Sequence, residues 1–346
     1  MSGDPEIVFD RSGAAGLVTL NRPMVLNALT FAMVTALRSR LQEWERDDSI
    51  TCVVIRGAGF KAFCAGGDIR ALHDSGKAGT SYASDFWREE YILNAAIKHY
   101  RKPFVALIHG ICMGGGIGVS VHGRFRIVTE SALLAMPETA IGFFPDVGGS
   151  YILSRCPGQL GMYLALTGAR LKSVDATYAG LATHYLPADR WPVLLDALSI
   201  GERPANVLAE MSQAPAPSAP LSDLRAQIDV AFAASSVEGI LANLDADGSA
   251  WAQETAATIR RRSPMSLKIA YREVRTGRTL GFDDCMRMEY RIANRILHGH
   301  DFYEGIRAAI IDKDNAARWL PGRLEDVADD IVASHFESLG NGELRL

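Results

Sequence analysis

Two glycine-rich turns, each placed shortly after an apolar run, constrain the fold of this chain more than any other feature. The first reads Phe63-Cys64-Ala65-Gly66-Gly67-Asp68 and follows the apolar residues 52–55. The second reads His109-Gly110-Ile111-Cys112-Met113-Gly114-Gly115-Gly116 and follows residues 104–108. Glycine lets the backbone bend sharply and leaves its N–H uncovered by a side chain. A continuous apolar run such as 52–55 belongs to a strand covered on both faces. Residues 6–21 read as two short strands around Ser12-Gly13, and 125–128 as a further strand. Helices are predicted over 30–44, where Met33, Leu37, Leu41 and Trp44 recur at helical spacing, and over 80–100, which carries Phe86, Trp87, Tyr91 and Ile97. Another buried helix is expected to start over 117–121. The succession of strand, glycine turn and helix predicts an α/β core of stacked ββα units.

Later the pattern changes. Residues 214–222 form a proline-rich connector, and 223–335 read as mostly helical. The expected division is a catalytic core over 1–210 and a mostly helical region over 211–346 that packs on it.

Charge and cysteine content narrow the function classes. With 36 basic against 40 acidic residues, the net charge of −4 argues against a general nucleic-acid or membrane-surface role. The five cysteines (Cys52, Cys64, Cys112, Cys156 and Cys285) show no CxxC pairing, so neither a zinc site nor a disulfide frame is expected, and a reducing compartment fits. No run approaches the roughly 20 apolar residues of a membrane span. The start, Met1-Ser2-Gly3-Asp4-Pro5-Glu6, has neither a basic region nor an apolar stretch of signal-peptide length. A cytoplasmic location is the expectation.

Several familiar chemistries fail on spacing. A dinucleotide fingerprint starting at Gly116 and Gly118 has Val121 where its third glycine belongs. Gly118-Val119-Ser120-Val121-His122 nearly makes a nucleophile elbow, but His122 fills the last glycine position and Ser120 falls inside the predicted helix. Cys64 and Cys112 read as small buried turn residues rather than activated thiols. His298-Gly299-His300-Asp301 lacks partners at metal-ligand spacing and reads as a solvated helix end.

Two acids stand out instead. Glu138 follows Leu133-Leu134-Ala135-Met136-Pro137, and Asp146 follows Ile141-Gly142-Phe143-Phe144-Pro145. Carboxylates in such surroundings are poorly hydrated, which raises their pKa and suits them to proton exchange near neutral pH. A preceding proline fixes each backbone. Asp146 fits equally well as the cap of a helix starting near Gly148. Of Glu89 and Glu90, one faces solvent and the other is free to face a site. Two glycine N–H groups converging on one point would hold a developing oxyanion, while the acids carry the proton transfers or act as nucleophile.

At these residues the chain resembles the crotonase (enoyl-coenzyme A hydratase/isomerase) superfamily. Asn21-Arg22-Pro23, Asn27-Ala28-Leu29 and 61–69 match its acyl-coenzyme A binding segments. Arg88-Glu89-Glu90-Tyr91, Met113-Gly114-Gly115-Gly116, 136–142, 144–149, Ala165-Leu166-Thr167-Gly168 and 300–307 resemble, more narrowly, its thioester-hydrolysing subgroup. The resemblance implies a crotonase (ClpP-like) α/β fold, with ββα units stacked in a spiral and a helical C-terminal region. It implies that the N–H groups of Gly67 and Gly115 hold the thioester oxygen, that Glu138 is the principal catalytic carboxylate with Asp146 as its partner, and that Glu90 contacts the acyl group. The hydratases carry a second glutamate two residues after the glycine triplet, where this chain has Gly118. That departure favours hydrolysis over hydration. The implied substrate is a short branched β-hydroxyacyl-coenzyme A thioester, 3-hydroxyisobutyryl-coenzyme A foremost. No separate cofactor and no metal are expected, coenzyme A being part of the substrate. Neither nucleic acid nor membrane is an expected partner, and a homo-oligomer is.

Overall fold

Three times along the chain, a strand of one sheet is followed within a few residues by a strand of a second sheet. The structure is a computed structural model and describes residues 4–214 and 219–346. An antiparallel hairpin comes first, β1 (Ile7–Ser12) on β2 (Ala15–Leu20). Then β3 (Cys52–Gly57) leads to β4 (Ala62–Cys64), β5 (Phe104–Ile108) to β6 (Ile111–Met113), and β7 (Phe125–Val128) to β8 (Leu133–Ala135). The short strands β9 (Leu171–Lys172) and β10 (His184–Tyr185) complete two sheets, ordered β1-β2-β3-β5-β7-β10 and β4-β6-β8-β9. In the larger sheet β3, β5 and β7 are parallel, with Val54 opposite Val105 and Leu107 opposite Ile127. In the smaller one β4, β6 and β8 are parallel, with Cys64 opposite Cys112 and Cys112 opposite Leu134. Each ββ step therefore stacks on the previous one in both sheets at once. This is the stacked α/β architecture that the glycine turns predict.

All of these strands lie in one compact unit, built from residues 1–68, 92–135 and 170–222. Period-two alternation puts Cys52 and Val54, Val105 and Leu107, and Phe125 and Ile127 on one face of the larger sheet. There they pack with Leu194, Leu198, Val207 and Leu208 of the helices Trp191–Ser199 and Pro204–Met211. The helix Phe31–Arg46 starts at Thr30, whose side chain accepts the Met33 N–H, and buries Met33, Val34, Leu37, Leu41 and Trp44.

The second unit comprises residues 69–91, 136–169 and 223–346 and contains no strand among its described residues. Its longest helices wholly within it are Pro264–Gly277 and Phe282–Ile296; Ser236, Ser249 and Ser263 cap three of its helices through their side chains. The helix Tyr82–Lys98 belongs to this unit as far as Tyr91. The compact units thus interleave along the chain, whereas a single cut near 210 was the expectation. Sequence order alone does not show which segments return to pack on which. Of the proline-rich connector, residues 215–218 lie outside the described residues, and Pro220–Asp223 is a short helical turn.

One helix is shorter than predicted. The turn after β6 makes only Gly115–Gly118, and residues beyond it run as turns. The Ser120 hydroxyl donates to the Gly116 carbonyl at 2.7 Å, a side-chain bond that competes with the helical ladder.

Gly110 links β5 to β6 at φ +53°, and a Cβ added there would meet the Lys61 carbonyl oxygen at 2.2 Å. Gly110→Ala is therefore expected to destabilise the chain by more than about 1 kcal/mol, read as a lowered urea midpoint with an unchanged slope. A midpoint equal to that of the wild type would contradict this close approach.

Candidate active site

Because β4 and β6 are parallel neighbours, the turns that follow them lie side by side. An ideal Cβ on Gly66 would stand 3.5 Å from the Gly115 nitrogen and 3.4 Å from the Met113 oxygen; one on Gly116 would stand 2.3 Å from the Cys64 oxygen. Backbone meets backbone here, and a side chain would separate the turns. Leu29 N–H donates to the Gly66 carbonyl at 2.8 Å and Asp68 N–H to the Leu29 carbonyl at 2.9 Å, so the Gly67 amide between them is passed over. Gly115 opens a helical turn, where N–H groups have no intrahelical acceptor. Among the described residues, neither the Gly67 nor the Gly115 N–H donates to a protein acceptor. The first unit thus presents two uncommitted amides on adjacent turns.

The other candidates in these turns are structural. The Cys64 thiol lies 3.5 Å from the Gly66 nitrogen and 3.6 Å from its carbonyl oxygen, bracing the bend. Burial pushes the Cys112 thiol up to about 12, so it stays protonated. Ser120 spends its proton on the Gly116 carbonyl.

The second unit gathers the acids. Glu90 and Tyr91 come from the helix Tyr82–Lys98, Glu138 opens the 3-10 turn Glu138–Ile141 after Pro137, and Asp146 sits in the loop before the helix Gly149–Leu153. Their relative exposures are 2% for Glu90, 6% for Glu138 and 5% for Asp146, so all three have lost nearly all their water. The Tyr91 hydroxyl donates to Asp146 Oδ2 at 2.8 Å. Nearby the apolar wall is aromatic: Trp87 stacks on Phe143 at 5.3 Å, and Phe143 packs against Phe144 and Phe302. Asp146 is not the helix cap that its position also allowed. The capping residue is Gly148, without a side-chain bond, and the main-chain carbonyl of Asp146 takes the Gly149 N–H at 2.8 Å.

Burial dominates the electrostatics. It pushes Asp146 up to about 7, against the opposing pull of the Tyr91 hydrogen bond. Burial first, and then the Asp146 charge, hold Glu138 and Glu90 well above the usual carboxylate range. No Lys or Arg among the described residues draws these three down. Groups so close titrate as a set. With its pKa at about 7, Asp146 can both accept and release a proton near neutral pH, which is what general acid–base work requires.

Three participants were absent from the sequence reading of the site. Tyr91 is read from the sequence as part of an amphipathic helix and of the segment Arg88-Glu89-Glu90-Tyr91, with no site role of its own. Glu273 and Glu289, both fully buried, were not singled out at all. Glu289 accepts the Gly148 N–H at 2.6 Å and the Ser150 N–H at 2.9 Å, together with the Ser150 hydroxyl, and burial still pushes it up to about 8. Neither carboxyl oxygen of Glu273 has a hydrogen-bond partner among the described residues, and burial, then Glu289, Asp146 and Glu138, raise its pKa. A signal existed for both. Glu273 falls on the stripe of Ile269, Ala270 and Val274, and Glu289 on that of Cys285, Met286, Ile292 and Ala293. A lone carboxylate on an apolar stripe is an informative exception. At the other end of this unit, Asp301 accepts from Ser263 Oγ and from the Leu320 N–H at 2.8 Å, and lies 3.1 Å from His300 Nδ1. The segment read as a solvated helix end is therefore pinned by a buried aspartate.

Residues 15–336 match the family described as enoyl-CoA hydratase/isomerase. The mitochondrial 3-hydroxyisobutyryl-CoA hydrolase of Xenopus tropicalis is 49% identical, over 99% of this chain and 91% of its own length. That of Homo sapiens is 44% identical, over 98% and 90%. Among solved structures, a carnitinyl-CoA dehydratase from Mycobacterium thermoresistibile is 42% identical with a TM-score of 0.94, covering 99% of each chain. An enoyl-CoA hydratase from Rhodobacter sphaeroides 2.4.1 is 41% identical with a TM-score of 0.92, over 99% of this chain and all of its own. The cytoplasmic expectation is corrected by these relatives, since both hydrolases are mitochondrial proteins. Reducing conditions, the basis of that expectation, are not peculiar to the cytosol.

Raised carboxyl pKa values make stability depend on pH with a definite sign. Asp146 rises from 3.8 to about 7 and Glu289 from 4.5 to about 8, so between those limits the folded chain holds more protons than the unfolded one. Their protonated forms therefore favour the fold below about pH 4, and this contribution is lost as pH climbs through 7 to 8. Denaturant titrations from pH 5 to 8 should show stability falling, with a shallower fall in Asp146→Asn. Tyr91→Phe removes the bond that lowers Asp146 and should move its titration above about 7, followed by the carbon-13 shift of its carboxyl.

Proposed function

This chain belongs to the enoyl-CoA hydratase/isomerase family, the crotonase superfamily, and from that premise we propose that it hydrolyses 3-hydroxyisobutyryl-coenzyme A to 3-hydroxyisobutyrate and free coenzyme A, a step of valine breakdown. The observation that carries the reading is the burial of both Glu138 and Asp146, with Asp146 pushed up to about 7 and its charge adding to burial in raising the Glu138 carboxyl. Gly118 supports it, because the position where a hydratase places its second glutamate has no carboxyl group here.

The work divides by chemistry. When the thioester carbon becomes tetrahedral, negative charge collects on its oxygen, and the uncommitted N–H groups of Gly67 and Gly115 are suited to receive it. One such donor is typically worth about 10²–10³ in rate. Glu138 opens the carbonyl, either by direct attack to give a mixed anhydride or by removing a proton from water. The carbon–sulfur bond then breaks, and Asp146, titrating at about 7, returns a proton to the departing thiolate. In the general-base route water supplies the new carboxylate oxygen; in the anhydride route water opens the anhydride, and where it attacks the Glu138 carbon the product keeps an oxygen of Glu138 while the water oxygen passes to Glu138. Glu90 meets the acyl group or its hydroxyl. A buried polar group left unpaired is costly, so acyl groups lacking that hydroxyl should react poorly.

The names of the solved relatives described as a dehydratase and a hydratase set a second reading beside it, loss or addition of water at the β carbon of an acyl-coenzyme A. Free-thiol release from 3-hydroxyisobutyryl-, 3-hydroxypropionyl-, crotonyl- and acetyl-coenzyme A, run beside ultraviolet absorbance of the crotonyl thioester, separates the two. Hydrolysis predicts thiol release greatest with the branched hydroxyacyl thioester; absorbance change without thiol would establish the second reading. Glu138→Gln should lower kcat by at least about 10²-fold. A single turnover in ¹⁸O-water distinguishes the routes, since only the anhydride route can deliver a first product molecule without label.

A further inference from the structure

Asp146 is followed by Val147 at φ +52° and then by Gly148 at φ +85°. Glycine takes this left-handed backbone freely, but a β-branched valine is a genuine outlier there. Such strain persists only where the surroundings over-determine it. Val147 is buried, and it lies between two anchors. On one side the Tyr91 hydroxyl holds Asp146 Oδ2 at 2.8 Å. On the other, Glu289 of the helix Phe282–Ile296 holds the Gly148 N–H, the Ser150 N–H and the Ser150 hydroxyl. Two of these donors meet one carboxyl oxygen of Glu289 and the third meets the other, so both oxygens are engaged as acceptors.

We propose that Glu289 is a positioning residue: by clamping Gly148 and Ser150 it keeps Val147 left-handed and so aims Asp146 at Tyr91. The proposal rests on the reading of Asp146 as a proton carrier in thioester hydrolysis. Glu289 need not touch substrate. Glutamine has nearly the same volume, but its NH₂ group would confront one of the donors that a carboxylate oxygen accepts. The strained valine is the place where the segment would then relax, carrying Asp146 with it.

The test compares crystal structures of the full-length wild type and E289Q, together with thiol release from 3-hydroxyisobutyryl-coenzyme A. In E289Q, Val147 is expected at negative φ and the Tyr91 hydroxyl more than about 3.5 Å from Asp146, beyond hydrogen-bond range. The kcat should fall about 30-fold while KM stays within about twofold, as for a lost acid–base contribution. In a V147G background the left-handed conformation carries no strain, so E289Q should lower kcat less than about threefold relative to V147G alone. Such coupling would not arise from general loosening of the fold. Equal losses in the two backgrounds, or an E289Q structure that keeps both the Val147 conformation and the Tyr91 contact, overturn the proposal. Should E289Q fail to fold, S150A removes one of the three donors, and the same cycle with V147G is read: a loss suppressed by glycine supports the clamp, and an additive loss overturns it. A wild type that releases no thiol from any thioester removes the hydrolase reading alone, and the crystallographic comparison then decides the clamp.

Discussion

Taking carboxyl groups out of water without a counter-charge is the constraint on which the chemistry of this chain depends. Glu90, Glu138, Asp146, Glu273 and Glu289 are all buried in one unit. The effective penalty for burying an ion is several kcal/mol, and a buried acid ordinarily meets it by holding its proton. That is the source of the raised pKa values, which brings Asp146 and Glu289, at about 7 and about 8, into the range where a carboxyl group exchanges its proton near neutral pH. Tyr91 and Glu289 then differentiate the members of the set. One donates a hydrogen bond to Asp146, and the other takes donors from the segment that follows it.

The first unit solves a different problem. Its two mixed sheets repeat one ββ step between parallel neighbours, so equivalent turns recur at neighbouring places. Glycines at 66 and 116 let two such turns approach backbone to backbone, and among the described residues the amides of Gly67 and Gly115 have no protein acceptor. Gly115 is buried and Gly67 half-buried, and an amide donor kept from water without an acceptor is unfavourable. Fixed amides need no reorganisation when charge appears, which is why preorganised donors act more strongly than water.

The residues that could be read in advance share a property: their neighbours in the chain are also their neighbours in space. The hairpin over 7–20, the strands at 104–108 and 125–128 and the helix beginning at Thr30 are decided by local alternation, helical spacing and a cap, all contained within a few residues. Glu138 and Asp146 were conspicuous because apolar residues and a proline directly precede each. Glu289 offers no comparable local clue beyond its place on an apolar stripe, since its partners Gly148 and Ser150 lie 141 and 139 residues away. Asp146 itself was divided between cap and acid until the structure showed which of its oxygens meets the helix.

Alone, the amino-acid order determined the element types, the glycine turns, the acids with dry flanks and, through Gly118, the absence of a hydratase's second glutamate. These depend on backbone sterics and on hydration within a short stretch of chain. The tertiary structure decided that the compact units interleave along the chain, that Tyr91, Glu273 and Glu289 join the acids, and that Val147 is held left-handed. Those outcomes come from contacts between distant segments, whose energies appear only once the chain has returned on itself and excluded water from between them.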